Sequence, residues 1–178
     1  MEIGNGKLTS IFMNLNEQCS IFSNNINNLN ITEEKINLIG FSQGGLIARC
    51  YVEKYSDKII SVNSLITIAS PNMVIYSPII NSISTIINPI KEYWKNPYKY
   101  NDYLENNDFL VYINNEKHHE DYLNYKNNIN ALTHFLIIWS SIDTIVTPVE
   151  SSKFECLIAK LKRLFVYMIL GLLFNSSS

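Results

Sequence analysis

Residues 36–45 read Ile-Asn-Leu-Ile-Gly-Phe-Ser-Gln-Gly-Gly, an apolar run that ends in the pattern Gly-x-Ser-x-Gly. Apolar side chains recur at helical spacing just after it, so the pattern lies between a predicted strand and a predicted helix. A serine on so sharp a turn needs Gly40 and Gly44, two residues before and after it, because side chains there would clash. The stretch therefore predicts an α/β fold with Ser42 as a nucleophile; the alternative is an ordinary glycine-rich turn.

A serine hydroxyl is a weak nucleophile, so it needs a histidine base that is held in orientation by a carboxylate. In folds of this kind the carboxylate follows the serine in the chain and precedes the histidine. Residues 134–140 have the composition of a buried strand, and Asp143 lies just past its end. The pattern therefore predicts Asp143 as the acid; the alternative is that it only opens a turn before Pro148.

No histidine follows Asp143, because the three in the chain are His118, His119 and His134. The first two lie in a polar stretch that predicts a solvated loop or helix end. Metal binding by this pair with a neighbouring carboxylate is an alternative, although a His-His dipeptide lacks ligand spacing. The third begins a predicted strand, where packing or capping is expected. The sequence therefore supplies no residue that fits the base.

Composition places the chain among globular proteins and predicts a single domain. It has 178 residues, of which 47% are hydrophobic and 12% aromatic. The net charge of −2 offers no basic surface for nucleic acid, so we expect no nucleic-acid partner. We also expect no cofactor and no metal. Residues 24–30 are asparagine-rich and predict a loop.

The cysteines leave the redox compartment open. Cys19, Cys50 and Cys156 are odd in number and show no CxxC spacing. Cys50 falls on the inner face of the helix after the serine, so a buried free thiol is the expected role. A glycosylation acceptor sequence begins at Asn30, which suits a glycoprotein of the lumen, although an asparagine-rich chain produces such sequences by chance.

Several segments, in chain order, resemble palmitoyl-protein thioesterases. The most specific are Tyr-Trp-Lys-Asn-Pro at 93–97 and Phe-Leu-Val-Tyr-Ile-Asn-Asn-Glu at 109–116. The resemblance runs from residue 2 to about Phe154, and residues 69–73 look more like the second, acyl-chain-restricted branch of the family. The other segments that carry it are 2–4, 12–19, 40–45 and 143–148.

The resemblance implies an α/β-hydrolase fold, incomplete at both ends, with a mostly parallel sheet and a cap insertion at about 71–130. Strands are expected near 36–41, 62–69 and 134–140. By resemblance, Ser42 and Asp143 are the nucleophile and acid, and the backbone N–H of Gln43 is one oxyanion donor. The implied reaction is thioester hydrolysis, on S-palmitoylated proteins or peptides or on acyl-CoA. The implied location is lysosomal or secreted.

Apolar residues of the predicted cap could line an acyl channel, because such pockets are mostly apolar. Ordinary packing of the cap on the sheet is the alternative for each of them. The candidates are Ile79, Ile83, Ile86, Tyr93 and Trp94.

Two units are expected: a partial hydrolase domain at 1–155 and an aberrant hydrophobic tail at 156–178. The apolar run at 164–174 is shorter than the roughly 20 residues of a membrane-spanning helix. With the basic residues before it, an interfacial helix in contact with a membrane surface is the alternative.

Two other functions stay open. One is an inactive lipid-binding or membrane-associated fragment, because loss of a triad member removes most catalysis while leaving a groove. The other is a carboxylester lipase, which would share the serine turn but not the segments at 93–97 and 109–116.

Overall fold

The computed structural model of the protein describes residues 3, 5–76, 88–96 and 98–154. Its centre is a parallel sheet in the order β1-β2-β3, formed by Lys35–Phe41, Ser61–Ile68 and His134–Ile138. The three predicted strands are thus confirmed to within two residues at each end. The residues expected to form the tail and the acyl-channel candidates Ile79, Ile83 and Ile86 lie outside the described residues.

Helices connect and flank the strands. Asn14 caps the second helix, since its Oδ1 accepts the Glu17 N–H at 2.8 Å. That helix continues through Asn27, so the predicted loop at 24–30 begins only after it; the packing of Ile26 in the core outweighs the low helix propensity of asparagine. The described helices are α1 (Lys7–Phe12), α2 (Leu15–Asn27), α3 (Gln43–Tyr55), α4 (Asn88–Tyr93), α5 (Tyr100–Asn106), α6 (Leu110–Ile113) and α7 (Tyr122–Asn130), and a 3₁₀ helix spans Val149–Lys153.

The predicted cap segment, about 71–130, contains α4 to α7 where it is described. Helix α7 packs against α3 and therefore belongs to the helical layer beside the sheet. The core lies between this layer and one face of the sheet, with Leu46 and Leu65 fully buried. Among the described ranges, no helix has both the length and the apolar character needed to cross a membrane.

The opposite face of the sheet carries apolar side chains that stay exposed in the described part of the chain. Ile39 is 67% exposed and Phe41 70%, and Leu136 and Ile138 on β3 are also exposed. Register puts Ile39, Ile66 and Leu136 in one row across the three strands. Parallel sheets are usually covered on both faces, whereas the described residues leave this apolar face uncovered.

A disulfide joins α2 to α3. Cys19 and Cys50 are paired, with Cα atoms 6.3 Å apart, and both side chains are fully buried. The prediction of a free thiol at Cys50 is therefore wrong, because 31 residues separate the partners and only the packing of the two helices brings them together. A disulfide persists in oxidising compartments, which suits a lumenal or secreted protein.

Candidate active site

Ser42 lies on a strained turn between β1 and α3. Its φ is 50° and its ψ is −125°, a conformation that costs a non-glycine residue about 1–3 kcal/mol. The turn is tied to β2, because the Ser42 N–H donates to the carbonyl of Ile68 at 2.8 Å. The Ser42 carbonyl in turn accepts the N–H of Gly45 at 3.0 Å. The strand, sharp turn and helix predicted around Ser42 are therefore all present, and the serine side chain is partly exposed.

The glycines of the turn differ in what surrounds them. A Cβ added at Gly40 would collide with the carbonyl oxygen of Gly44 and the Cα of Gly45. A Cβ at Gly45 would lie 2.6 Å from the Oγ of Ser70. A Cβ at Gly44 meets nothing within 4 Å, because this residue faces outward on the first turn of α3. The prediction that Gly44 is sterically required is therefore wrong, and Gly45 takes that role.

Asp143 follows β3 at the same edge of the sheet as Ser42. The carboxyl ends of β1, β2 and β3 coincide, since Phe41 pairs with Ile68 and Ile68 with Ile138. The Asp143 Oδ1 accepts two backbone N–H groups of its own loop, from Ile145 at 2.8 Å and from Val146 at 3.0 Å. The side chain is partly exposed, and no described residue donates a hydrogen bond to its second oxygen.

His134 lies at the amino ends of the strands, opposite the end of the sheet where Ser42 lies. It is the first residue of β3, where it pairs with Ser64 of β2, and it precedes Ile138 at the other end of the strand by four residues. At about 3.3 Å per residue, this separation along the strand is about 13 Å. The ring Nδ1 is 3.4 Å from the Ser64 Oγ. His134 cannot serve Ser42 from this position.

The other two histidines pack against aromatic rings near α7. The His119 Nε2 lies 3.0 Å from the Asn115 Oδ1, and its ring centroid is 4.8 Å from that of Tyr125. Burial lowers the pKa of His119. His118 is exposed and its ring is tilted toward Tyr122 at 6.0 Å. The contacts of both rings are thus with this helical region, and the geometry supplies no base from either.

The side chain of Gln43, the first residue of α3, joins three elements. Its Nε2 donates to the Gln18 Oε1 at 3.0 Å and to the Ser10 carbonyl at 3.2 Å. Its Oε1 accepts the Tyr93 hydroxyl at 3.5 Å. Gln18 is not among the predicted site residues, although it lies in the segment 12–19 that carries part of the family resemblance.

Two of the acyl-channel candidates can be placed. Tyr93 is buried in the same cluster as Leu15 and Leu46, and burial raises its pKa to about 12. Trp94 forms an isolated bridge with Ile75 and lies beside the ring of Tyr76. The packing of Tyr93 in the core favours the structural alternative for that residue.

Comparison with known families agrees with this arrangement. A family model described as palmitoyl protein thioesterase matches residues 1–170. The chain belongs to the palmitoyl-protein thioesterase family. The match runs past Phe154, where the sequence analysis expected the resemblance to end.

Curated members of the thioesterase family resemble the chain at moderate identity. Palmitoyl-protein thioesterase 3 of Dictyostelium discoideum is 32% identical over 170 residues, which cover 87% of this chain and 58% of that protein. Lysosomal thioesterase PPT2 of Homo sapiens is 28% identical over 142 residues, covering 67% and 45%. The PPT2 homolog of Drosophila melanogaster is 28% identical, covering 68% and 47%. The chain spans about half the length of the curated thioesterases it matches.

A buried arginine connects the segments that surround the thioesterase-family serine turn. The Arg49 Nε donates to the Glu53 Oε1 at 2.7 Å, and its other nitrogens donate to the carbonyls of Asn72 at 2.9 Å and Ile113 at 2.6 Å. Its guanidinium also lies 4.7 Å from the centroid of the Phe154 ring. Arg49 therefore ties α3 to the loop after β2, to α6 and to the end of the 3₁₀ helix.

Glu92 makes the stability of this family member depend on pH. Its Oε2 accepts the Leu15 N–H at 2.6 Å, and burial, with the nearby charge of Asp108, raises its pKa from 4.5 to about 7. The hydrogen bond from Leu15 and, less strongly, the charge of Lys54 oppose this rise in pKa. Because the folded-state pKa is above the unfolded one, the stabilisation is present below about pH 4.5 and is lost as pH rises to about 7.

We expect the free energy of unfolding to fall by about 1–2 kcal/mol between pH 5 and pH 7. The upper limit for one titrating group is about 1.4 kcal/mol for each pH unit. Urea titrations at the two pH values measure this. Glu92→Gln keeps an oxygen acceptor for the Leu15 N–H and removes the titration, so its slope against pH should be shallower. An equal slope in the variant would assign the dependence to other groups.

Proposed function

We propose that the protein is a serine thioesterase that removes long-chain fatty acyl groups from S-acylated cysteine or from acyl-CoA. The observation that carries the proposal is the strained backbone of Ser42 at the start of α3, in a chain of the palmitoyl-protein thioesterase family. Strain of this size persists at functional sites, where the surrounding structure holds it. A turn without a catalytic role would have no use for a strained backbone.

In the proposed reaction the Ser42 Oγ attacks the thioester carbonyl. An O–C bond forms, the C–S bond breaks, and the proton from the hydroxyl passes through a histidine to the departing sulfur. Asp143 orients that histidine; within residues 1–178 no histidine follows Asp143. Water then attacks the acyl-serine and releases the fatty acid.

The Gln43 backbone N–H is the proposed oxyanion donor. It is the first amide of α3, and the described residues offer it no hydrogen-bond acceptor. The first amides of a helix have no partner within the helix, and the helix dipole favours negative charge there. The developing oxyanion would therefore be stabilised next to Ser42.

Relatives named lysosomal thioesterase support a lysosomal location for this protein. The buried disulfide suits that compartment as well. S-palmitoylated proteins or peptides are the proposed substrates.

Labelling with a long-chain alkyl fluorophosphonate tests the nucleophile. We expect the probe to modify the peptide that contains Ser42, with imidazole supplied in the buffer as the proton acceptor. Ser42→Ala should abolish the label, and Ser140→Ala, a serine at the same edge of the sheet, should leave it unchanged. Mass spectrometry of the labelled peptides measures both. A label that survives Ser42→Ala would overturn the proposal.

Competition tests the substrate class in the same assay. Palmitoyl-CoA should protect Ser42 from the probe at lower concentration than acetyl-CoA or a palmitoyl oxygen ester does. Better protection by the oxygen ester would favour the carboxylester lipase instead.

A further inference from the structure

We infer that Gln18 is a positioning residue of the site: through the side chain of Gln43, its amide fixes the first turn of α3 and hence the Gln43 N–H. The inference rests on the proposed function, because it assigns a partner to the proposed oxyanion donor. It starts from the geometry of two side-chain amides that face each other between α2 and α3, the buried Gln18 and the partly buried Gln43.

Gln18 is held firmly enough to act as a fixed point. Its side chain is 3% exposed, and its Nε2 donates to the Met13 carbonyl at 2.7 Å, which leaves Oε1 for Gln43. The next residue, Cys19, is cross-linked to Cys50 of α3. A covalent bond therefore fixes α2 against α3, next to Gln18 on α2 and seven residues after Gln43 on α3.

The start of α3 benefits from such a fixed point because its backbone is strained and has no side-chain cap. The preceding residue has a positive φ, and no side chain caps the start of α3. The peptide between Ser42 and Gln43 is held by the Gly45 N–H, which donates to the Ser42 carbonyl at 3.0 Å, and the Gln43 side chain adds an attachment to residues outside α3. Gln18 supplies the shorter of the two hydrogen bonds to its Nε2, at 3.0 Å against 3.2 Å from the Ser10 carbonyl.

Stabilisation of the oxyanion is sensitive to displacement of the donor N–H, and this sensitivity sets the expected loss of rate. Loss of one donor costs about a hundred- to a thousand-fold in rate, and misplacement by about 1 Å costs up to about a hundred-fold. Gln18→Leu preserves the approximate volume and removes the amide hydrogen bonds to Met13 and Gln43. We expect it to lower the maximal rate constant for labelling of Ser42 about ten- to a hundred-fold, with the half-saturating probe concentration unchanged.

The measurement uses the full 178-residue chain with imidazole at a fixed concentration. Gln43→Leu should give a similar loss, and the double variant should be no slower than the worse single variant, because the two side chains act as one unit. Tyr51→Phe is the matched control. It removes a hydrogen bond from α3 to the Ile60 carbonyl, at 3.1 Å, and should leave the labelling rate unchanged.

Gln18→Glu distinguishes positioning from general destabilisation. A neutral carboxyl can imitate the amide, since its O–H donates to the Met13 carbonyl while its C=O accepts from Gln43. Burial raises the pKa of such a carboxyl, so the neutral form is favoured at low pH. The labelling rate relative to the unmodified chain at the same pH should be near one at pH 5 and should fall about tenfold or more by pH 8.

A rate for Gln18→Leu within twofold of the unmodified chain, or a pH-independent ratio for Gln18→Glu, would overturn the inference while leaving Ser42 as the nucleophile. Label that persists after Ser42→Ala would instead refute the proposed function. If Gln18→Leu does not fold, the pH series of Gln18→Glu decides alone.

Discussion

Purified as the 178-residue chain, the protein should hydrolyse palmitoyl thioesters about 10⁶-fold more slowly than a relative that has the complete triad. Removal of the histidine alone from a serine triad costs about that much in turnover. His134 lies about 13 Å along the strand from the serine edge of the sheet, and His119 contacts Asn115 and Tyr125. Release of free CoA from palmitoyl-CoA, with and without imidazole, measures the difference.

Imidazole should raise the rate in proportion to its concentration, because it supplies the missing proton acceptor, and Ser42→Ala should remove this increase. Replacement of His118, His119 and His134 together by alanine should leave the residual rate unchanged. A rate comparable with the relative's, or a loss of activity in the triple variant, would mean that one of these histidines reaches Ser42 by a movement absent from this structure.

The strand, turn and helix around Ser42 depend mainly on residues that are close in sequence, so the sequence pattern predicted them. The strand before Ser42, the turn and the helix after it follow from apolar spacing and glycine positions over about twenty residues. The strand before Asp143 was predicted from its composition alone. The carboxyl ends of parallel strands lie at the same end of the sheet. The position of Ser42 and Asp143 at that end could therefore be predicted as well.

Contacts between distant segments could not be predicted in this way. The pairing of Cys19 with Cys50 depends on the crossing of α2 and α3, and an odd cysteine count gave no pairing. The contact of Gln18 with Gln43 has the same origin. Both belong to the interface of α2 and α3, and the residue pattern of one helix does not specify how another helix crosses it.

Gly44 and Gly45 show that prediction from a residue pattern is limited even within a few residues. The motif specifies Gly44, but the direction of each Cα–H bond on the first turn of α3 decides which position is crowded. That direction places Gly44 toward solvent and Gly45 against Ser70. A pattern of residue types does not contain this information.

Gly40→Ala should therefore be the most destabilising substitution in the turn, lowering the free energy of unfolding by about 3 kcal/mol or more. The added Cβ would collide with backbone atoms of Gly44 and Gly45, which cannot move without displacing Ser42. Overpacking commonly costs about 1–3 kcal/mol, and backbone collisions lie at the upper end. Urea unfolding of the full chain measures the change.

Gly44→Ala is the matched control, because it adds the same methyl group four residues later, with nothing within 4 Å. Alanine is the better helix former by about 1 kcal/mol, so stability should be unchanged or slightly raised. Gly45→Ala should also destabilise, but less than Gly40→Ala: its Cβ would lie 2.6 Å from the Ser70 Oγ, which can rotate, and 2.7 Å from the Ser70 Cβ, which cannot, whereas a Cβ at Gly40 meets only backbone atoms. Equal destabilisation by Gly44→Ala and Gly40→Ala would contradict this ranking, because it would place the tight contact of the turn where the motif has it, at the second position after Ser42.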